Sequence, residues 1–369
     1  MKSIWVIIGT RPEAIKQCPL YIYLKTHWKT VDVKLVVTNQ HRDLITPVLA
    51  RFGVKGDIEL DSQPNDEASL SSKCASILDR MGRLIEAHSP SLMIVQGDTA
   101  TACFSAWAGF LQGVPIIHNE AGLRTFDTFS PFPEEANRRA ISALASLHLA
   151  PSSNARSNLL REQIETDDIE VVGNTGIDAL KFALQCQPSP KAKDILDHSL
   201  ETSLVLVTAH RRENAELMNE WFSALGIFAT EHSNLKLVCP LHPNQLARTA
   251  AKTFIGSSEN VILCEPFDFV DMAHLLKRCR LVVTDSGGIQ EEAATLGIPT
   301  VVCRASTERP EAIDWGTAVL SELDTQSILA CMRAGLHVRP KVPFDKDSPF
   351  GVGKSSEKIL AVLKKRYRF

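Results

Sequence analysis

Five short stretches of this chain carry residue types and spacings suited to acid–base or phosphate chemistry. The first is Gly9-Thr10-Arg11-Pro12-Glu13-Ala14-Ile15-Lys16, which ends an apolar run and opens a helical pattern. Pro12 suits an early helical position. Backbone N–H groups at a helix start favour anions, and Arg11 and Lys16 add positive charge. An ordinary strand–helix turn with two solvated charges fits the same residues. The second is Gln96-Gly97-Asp98-Thr99 after another apolar run. Asp98 is placed either to serve as a general base or to cap a helix. The third is His118-Asn119-Glu120-Ala121-Gly122-Leu123-Arg124-Thr125, followed by Ser130-Pro131-Phe132-Pro133-Glu134-Glu135-Ala136-Asn137-Arg138-Arg139. Glu120 ends a strand pattern beside His118. Glu134 opens a helix with Arg138 four residues on, which also suits a plain dipole partner and ion pair. Several carboxylates in one cleft push their pKa values apart, as acid–base pairs require.

The fourth stretch is Thr208-Ala209-His210-Arg211-Arg212-Glu213-Asn214. His210 can donate to a phosphate or carry a proton, or be a surface histidine. The fifth is Thr284-Asp285-Ser286-Gly287-Gly288-Ile289-Gln290-Glu291-Glu292. Ser286, Gly287 and Gly288 expose N–H groups at a helix start, a cradle for a diphosphate. Glu292, one turn on, can accept from ribose hydroxyls, and Arg309 in Thr307-Glu308-Arg309-Pro310-Glu311 can neutralise phosphate. The eleven histidines form no H-E-x-x-H or H-x-H pattern, so the sequence offers no metal site. G-x-G-x-x-G, the Walker pattern and G-x-S-x-G are all absent, so no nicotinamide cofactor, NTP hydrolysis or serine nucleophile is expected.

These residues need strand ends to present them. Apolar runs occur at Ile4–Ile8, Val33–Thr38, Leu92–Val95, Pro115–His118 and Ile169–Val172. A second series follows at Leu204–Thr208, Leu235–Cys239, Val261–Cys264, Leu281–Thr284 and Thr300–Cys303. Helical spacing fills the gaps, as in Leu70–Ala87, Glu134–Ser146 and Gln290–Leu296. Short apolar strands alternating with helices predict parallel sheets covered on both faces, here in two doubly wound series. The candidate linker runs from Gly173 to Ser203, and a basic helical segment closes the chain. In open α/β sheets ligands bind beyond the carboxyl ends of the strands. All five stretches follow strands directly.

Bulk properties fit this picture. The 369 residues suggest roughly two domains, with 44% hydrophobic and 22% charged residues. A net charge of -3 gives no basic field for nucleic acid or a membrane surface. The stretch Ala102 to Ile117 is too short and interrupted to span a bilayer, and the N-terminus lacks a signal-peptide core. Nine cysteines without a C-x-x-C pair read as thiols of a reduced, cytoplasmic protein.

Taken in order, GTRPEAIK, QGDT, NEAGLRT, SPFPEEANRR, GNTGIDAL, TAHRREN, TDSGGIQEEA and TERPEA resemble the bacterial non-hydrolysing UDP-N-acetylglucosamine 2-epimerase family. The resemblance runs from Gly9 to about Gly353. It implies a glycosyltransferase-B-like α/β fold of two Rossmann-like domains facing across a cleft. The first would span 1–172, completed by the C-terminal helix 355–369; the second, binding UDP, would span 173–354. It further implies a cytoplasmic homodimer in cell-surface polysaccharide biosynthesis, with no cofactor. Its reaction would interconvert UDP-N-acetylglucosamine and UDP-N-acetylmannosamine through loss and re-addition of UDP. By motif position the catalytic carboxylates fall on Asp98, Glu120 and Glu134, with Arg11, Lys16, Arg138 and His210 in support. UDP contacts fall on Ser286, Gly287, Gly288 and Glu292. One departure from the family is Asn119, where valine is usual before the glutamate. Gln40-His41-Arg42 resembles part of a second, activating UDP-sugar site, with Asp43 and Asp66 departing from it. Three carboxylates at strand ends favour proton chemistry over a glycosyltransferase of the same architecture. A hydrolysing relative and a 2-epimerase of a related UDP-sugar are the other readings.

Overall fold

The structure is a computed structural model that describes residues 2–38, 40, 42–60, 68–198, 203–209, 218–241, 245–367 and 369, with backbone alone at 42 and 245–247. The chain divides into two compact units, Met1–Ala179 with Gly353–Phe369, and Leu180–Val352.

In the first unit the strands are β1 (Lys2–Ile8), β2 (Val31–Val37), β3 (Ile58–Glu59), β4 (Leu92–Gln96), β5 (Ile116–Asn119), β6 (Leu147–Ala150) and β7 (Ile169–Val171). The helices are α1 (Arg11–His27), α2 (Arg42–Phe52), α3 (Leu70–His88), α4 (Ala100–Leu111), α5 (Glu134–Leu144), α6 (Ser153–Arg161) and α7 (Thr175–Ala183), which crosses the boundary between units. The sheet order is β3-β2-β1-β4-β5-β6-β7, all parallel. β4 is buried along its whole length, as a strand covered on both faces must be. Trp5, Ile7, Val95, Met81, Ile85 and Ala106 share one core cluster between the sheet and α3–α4.

The second unit contains α8 (Pro190–His198), β8 (Ser203–Thr208), α9 (Met218–Glu231), β9 (Leu235–Pro240), α10 (Gln245–Ile255), β10 (Val261–Cys264) and α11 (Phe269–Arg278). β11 (Cys279–Thr284), α12 (Gly287–Leu296), β12 (Thr300–Cys303), α13 (Pro310–Asp314), β13 (Ala318–Ser321) and α14 (Thr325–His337) complete it. Its sheet order is β10-β9-β8-β11-β12-β13, again parallel. Alternation along β8 shows both faces at work. Val205 and Val207 join a cluster with Trp221, Phe222 and Phe228, whereas Leu204 and Leu206 join one with Val270 and Leu276.

Two doubly wound α/β units are thus present, as the alternating runs predict. β3, β6 and β13 are additional to the predicted strands. β3 has only two residues, and β6 carries the polar His148 within its four. The last helix, α15 (Ser355–Arg366), belongs to the first unit. Asp178 accepts there from Ser355 N at 3.0 Å and Ser356 N at 2.8 Å, satisfying donors that the first helical turn leaves open. No helix among the described residues is long and apolar enough to cross a membrane.

Candidate active site

Both sheets reverse their strand order at one point: between β1 and β4, and between β8 and β11. Chain leaving such neighbours diverges to opposite faces and opens a crevice for ligands. Four of the five sequence stretches begin at these two points, and the third follows β5.

In the first unit, Gly9 and Thr10 leave β1 and α1 begins at Arg11. Gly9 is required by close packing: a Cβ there would lie 2.0 Å from Thr101 Oγ1 and 2.2 Å from Thr38 Oγ1. Thr10 caps α1 in a capping box with Glu13. One turn on, the Lys16 ammonium pairs with Glu120 Oε1. Asn174 Nδ2 donates to the same oxygen at 3.0 Å, and Gln96 Nε2 donates to Oε2. Glu120 follows β5 with φ 62°, a left-handed conformation that costs a residue with a side chain about 1–3 kcal/mol and recurs at functional sites. Asn119, the departure from the usual valine, supports this backbone. Its Oδ1 accepts from Glu120 N at 3.1 Å, and its Nδ2 donates to Thr175 Oγ1 at 3.1 Å.

Asp98 lies beside this group in sequence but faces a different partner. Arg138 Nε and Nη2 both reach its Oδ2 at 2.7 Å. Asn137 Nδ2 donates to the Asp98 carbonyl at 2.8 Å. The helix-cap alternative for Asp98 is settled, because the N-cap of α4 is Thr99, whose hydroxyl accepts from Ala102 N at 3.0 Å. Arg138 Nη1 also donates to Glu135 at 3.0 Å. Glu135 is buried and accepts from Thr125 N at 3.1 Å and Phe126 N at 3.2 Å. It anchors the loop in front of α5, while Glu134, the first residue of α5, is half-buried.

Two titratable groups here are displaced by burial. His118 is pushed down to about 3, so its imidazole is neutral near neutrality; Nε2 donates to the Gly97 carbonyl at 2.8 Å and Nδ1 is buried with no partner among the described residues. Glu13 is pushed up to about 7, against hydrogen bonds from Thr99, Gly9 and Thr10 that favour its ionised form.

In the second unit, Thr208 and Thr284 end β8 and β11 with hydroxyls 2.6 Å apart. Thr284 Oγ1 accepts from Ser286 N at 2.9 Å, and Ser286 caps α12. Gly287 and Gly288 therefore form the first turn of that helix, with N–H groups near its positive end. Beneath them lies the Arg309 guanidinium, 2.8 Å from where a Gly287 Cβ would be. Arg309 Nε donates to Glu291 at 2.9 Å and Nη1 to Glu308 at 3.2 Å. Arg304 forms a fork with the same Glu308, at 2.8 and 3.2 Å. Buried charges paired in this way are costly to break. Glu292 is half-buried on α12.

The structure thus brings Lys16 to Glu120 and Arg138 to Asp98, and places Arg11 at the start of the helix that bears Lys16. Ser286, Gly287, Gly288 and Arg309 form a separate group in the second unit. His210 lies outside the described residues, as do His41 and Asp66. Gln96, Asn174, Glu13 and Glu135 are site-building residues that the sequence patterns do not single out. Only Glu13 carries a local signal, the Thr-x-x-Glu spacing of a capping box. Among the described residues no group of three His, Cys, Asp or Glu side chains is placed to hold a metal ion.

A family model described as UDP-N-acetylglucosamine 2-epimerase matches residues 25–364 of the chain. The UDP-N-acetylglucosamine 2-epimerase of Bacillus subtilis strain 168 is 37% identical over 371 residues, covering 100% of this chain and 96% of that protein. The crystal structure of UDP-GlcNAc 2-epimerase from Neisseria meningitidis bound to UDP-GlcNAc matches with a TM-score of 0.89 at 36% identity, covering 99% of this chain and 100% of that one. Staphylococcus aureus MnaA, solved with UDP, matches with a TM-score of 0.90 at 36% identity, covering 100% and 97%.

Proposed function

Because the chain belongs to the UDP-N-acetylglucosamine 2-epimerase family, we propose that it interconverts UDP-N-acetylglucosamine and UDP-N-acetylmannosamine by eliminating UDP and adding it back. In this scheme a carboxylate takes the proton from carbon 2 and the C–H electrons form a double bond to carbon 1. The bond from carbon 1 to the diphosphate oxygen breaks, and UDP leaves with the electron pair. The bound 2-acetamidoglucal is reprotonated on its other face as UDP returns to carbon 1. Every step is redox-neutral, so the balance calls for no nicotinamide.

The observation that carries this reading is a pair of carboxylates at neighbouring strand ends, Asp98 after β4 and Glu120 after β5, each held by a cation: Glu120 by Lys16 and Asp98 by Arg138. The carbon 2 proton is not α to a carbonyl, so its removal depends on departure of UDP. The site then needs proton carriers for two faces and cations for developing phosphate charge. Asp98, Glu120 and Glu134 take the first task; Arg11, Lys16, Arg138 and His210 support it. Ser286, Gly287 and Gly288 receive the diphosphate at the start of α12, and Glu292 receives the ribose. Arg309 acts from beneath this turn, where its carboxylate partners hold it. The working form in this proposal is a cytoplasmic homodimer serving cell-surface polysaccharide synthesis.

Proton NMR of UDP-N-acetylglucosamine with the protein in heavy water tests the scheme. UDP-N-acetylmannosamine bearing deuterium at carbon 2 is expected. Free N-acetylmannosamine with UDP would instead identify a hydrolysing enzyme. An unchanged but bound substrate would point to a transferase or a binding protein.

A further inference from the structure

Glu13 takes no part in the scheme above, yet it is 1% exposed and fully engaged at the switch point of the first unit. Its Oε2 accepts from Gly9 N at 2.8 Å, Thr10 N at 2.7 Å and Thr10 Oγ1 at 2.9 Å. Its Oε1 accepts from the Thr99 hydroxyl. The bond from Thr10 N is that of a capping box on α1, and those from Gly9 N and the Thr10 hydroxyl lie within the same turn. The fourth does not, because Thr99 is the N-cap of α4 on the other side of the switch point. One buried carboxylate therefore joins the first turns of the two helices that flank the crevice. Arg11 directly follows Thr10, and Asp98 directly precedes Thr99. The geometry points to Glu13 as a positioning residue that locks these two turns together and presents Arg11 and Asp98 to the substrate in a fixed relation. Its hydrogen bonds end on Gly9, Thr10 and Thr99, so it acts on the substrate's neighbours Arg11 and Asp98 through these turns. The inference rests on the epimerase reading for its effect on turnover, since proton transfer is sensitive to sub-ångström placement of the groups that perform it.

Thr99→Val removes the bridging hydroxyl while keeping the side chain's shape; Thr99→Ser returns it. Glu13→Gln keeps the volume but turns a donor toward donors. The readouts are kcat and KM for UDP-N-acetylglucosamine, UDP affinity by calorimetry, and amide hydrogen exchange at Gly9, Thr10 and Ala102. Glu13→Gln and Thr99→Val are expected to lose on the order of 10-fold or more in kcat, with KM and UDP affinity within about threefold of the parent. Exchange at the three amides should quicken in both, and Thr99→Ser should recover most of the rate. Parent-like kcat in both variants would overturn the inference, as would a fall of UDP affinity in step with kcat. If the parent protein binds UDP but makes no UDP-N-acetylmannosamine, the epimerase reading fails separately. The exchange measurement then still decides the clamp, since unchanged protection in both variants removes it.

Discussion

Glu120 and Asp98 show how little of a site resides in one residue. Glu120 is held at φ 62° with donors on both carboxylate oxygens, from Lys16 and Asn174 on one and Gln96 on the other. Asp98 keeps one oxygen on the Arg138 guanidinium. Glu120→Gln and Asp98→Asn preserve shape and remove the capacity to carry a proton. Each is expected to lose on the order of 10²-fold or more in turnover, read from the NMR rate. A near-parent rate in either variant would take that residue out of the proton path. Burial at Glu13 and His118 has a second consequence, in stability. Unfolded histidine takes a proton below its ordinary 6.5, whereas folded His118 refuses one down to about 3. Stability from this group is therefore lost as pH falls through that window. Glu13 runs the other way. Unfolded, it sheds its proton above 4.5; folded, it holds it to about 7, so stability is lost as pH rises between those values. The two slopes oppose each other where the windows overlap. Glu13→Gln removes one of them, so the stability difference between variant and parent should shift in the variant's favour as pH rises from about 5 to about 7, on top of the loss from its broken hydrogen bonds. The full effect is on the order of 3 kcal/mol. Urea midpoints that shift in parallel for both proteins would show that Glu13 is not the group responsible.

At the scale of elements, the start of α12 depends on what lies beneath it. A Cβ on Gly287 would strike the Arg309 guanidinium, which Glu291 and Glu308 hold in place, whereas a Cβ on Gly288 meets open space. Gly287→Ala should cost about 1–3 kcal/mol through forced displacement of that buried network. Gly288→Ala should stay within about 1 kcal/mol of the parent, on the favourable side, because alanine suits a helix better than glycine. Denaturation of the two variants distinguishes them, and equal costs would mean that Arg309 gives way freely. Sequence patterns marked this turn because Ser-Gly-Gly after an apolar run is a local signal. They could not mark Arg309 as its floor, since that contact joins residues far apart in the chain. Gln96 and Asn174 share this difficulty: each is a lone amide whose meaning comes from Glu120, which belongs to another strand end. The longer central strands were legible for the opposite reason. Leu92–Val95 of β4 and Leu204–Val207 of β8 are buried on both faces, so each forms an unbroken apolar run. β6 contains His148, buried with its ring between the Ser142 and Asp168 carbonyls, and that polar residue breaks the run.

The whole molecule repeats one plan twice, with the same order through six strands, a seventh added at the edge of the first sheet, and the same reversal between the first and fourth strands of each. Proton-handling candidates gather on the first unit and the anion-favouring turn on the second. The chain leaves the first unit at α7 and returns to it at Gly353. Asp178, next to the point of departure, accepts from Ser355 N and Ser356 N at the start of α15. The far end of α15 is tied by Arg366, which pairs with Asp168 and donates to the Ser146 carbonyl at 2.9 Å. A carboxylate serving the open N–H groups of a helix start stabilises it by about 0.5–2 kcal/mol. Asp178→Ala should therefore destabilise the protein by about that amount. The loss should be localised: amides of α15 and of α1, against which it packs, should exchange faster, while those of β11 and β12 keep their protection. Asp178→Asn retains an acceptor and should recover part of the protection. Uniform loss across both units would mean that they unfold as one, and that returning the last helix to the first sheet matters to the stability of the second.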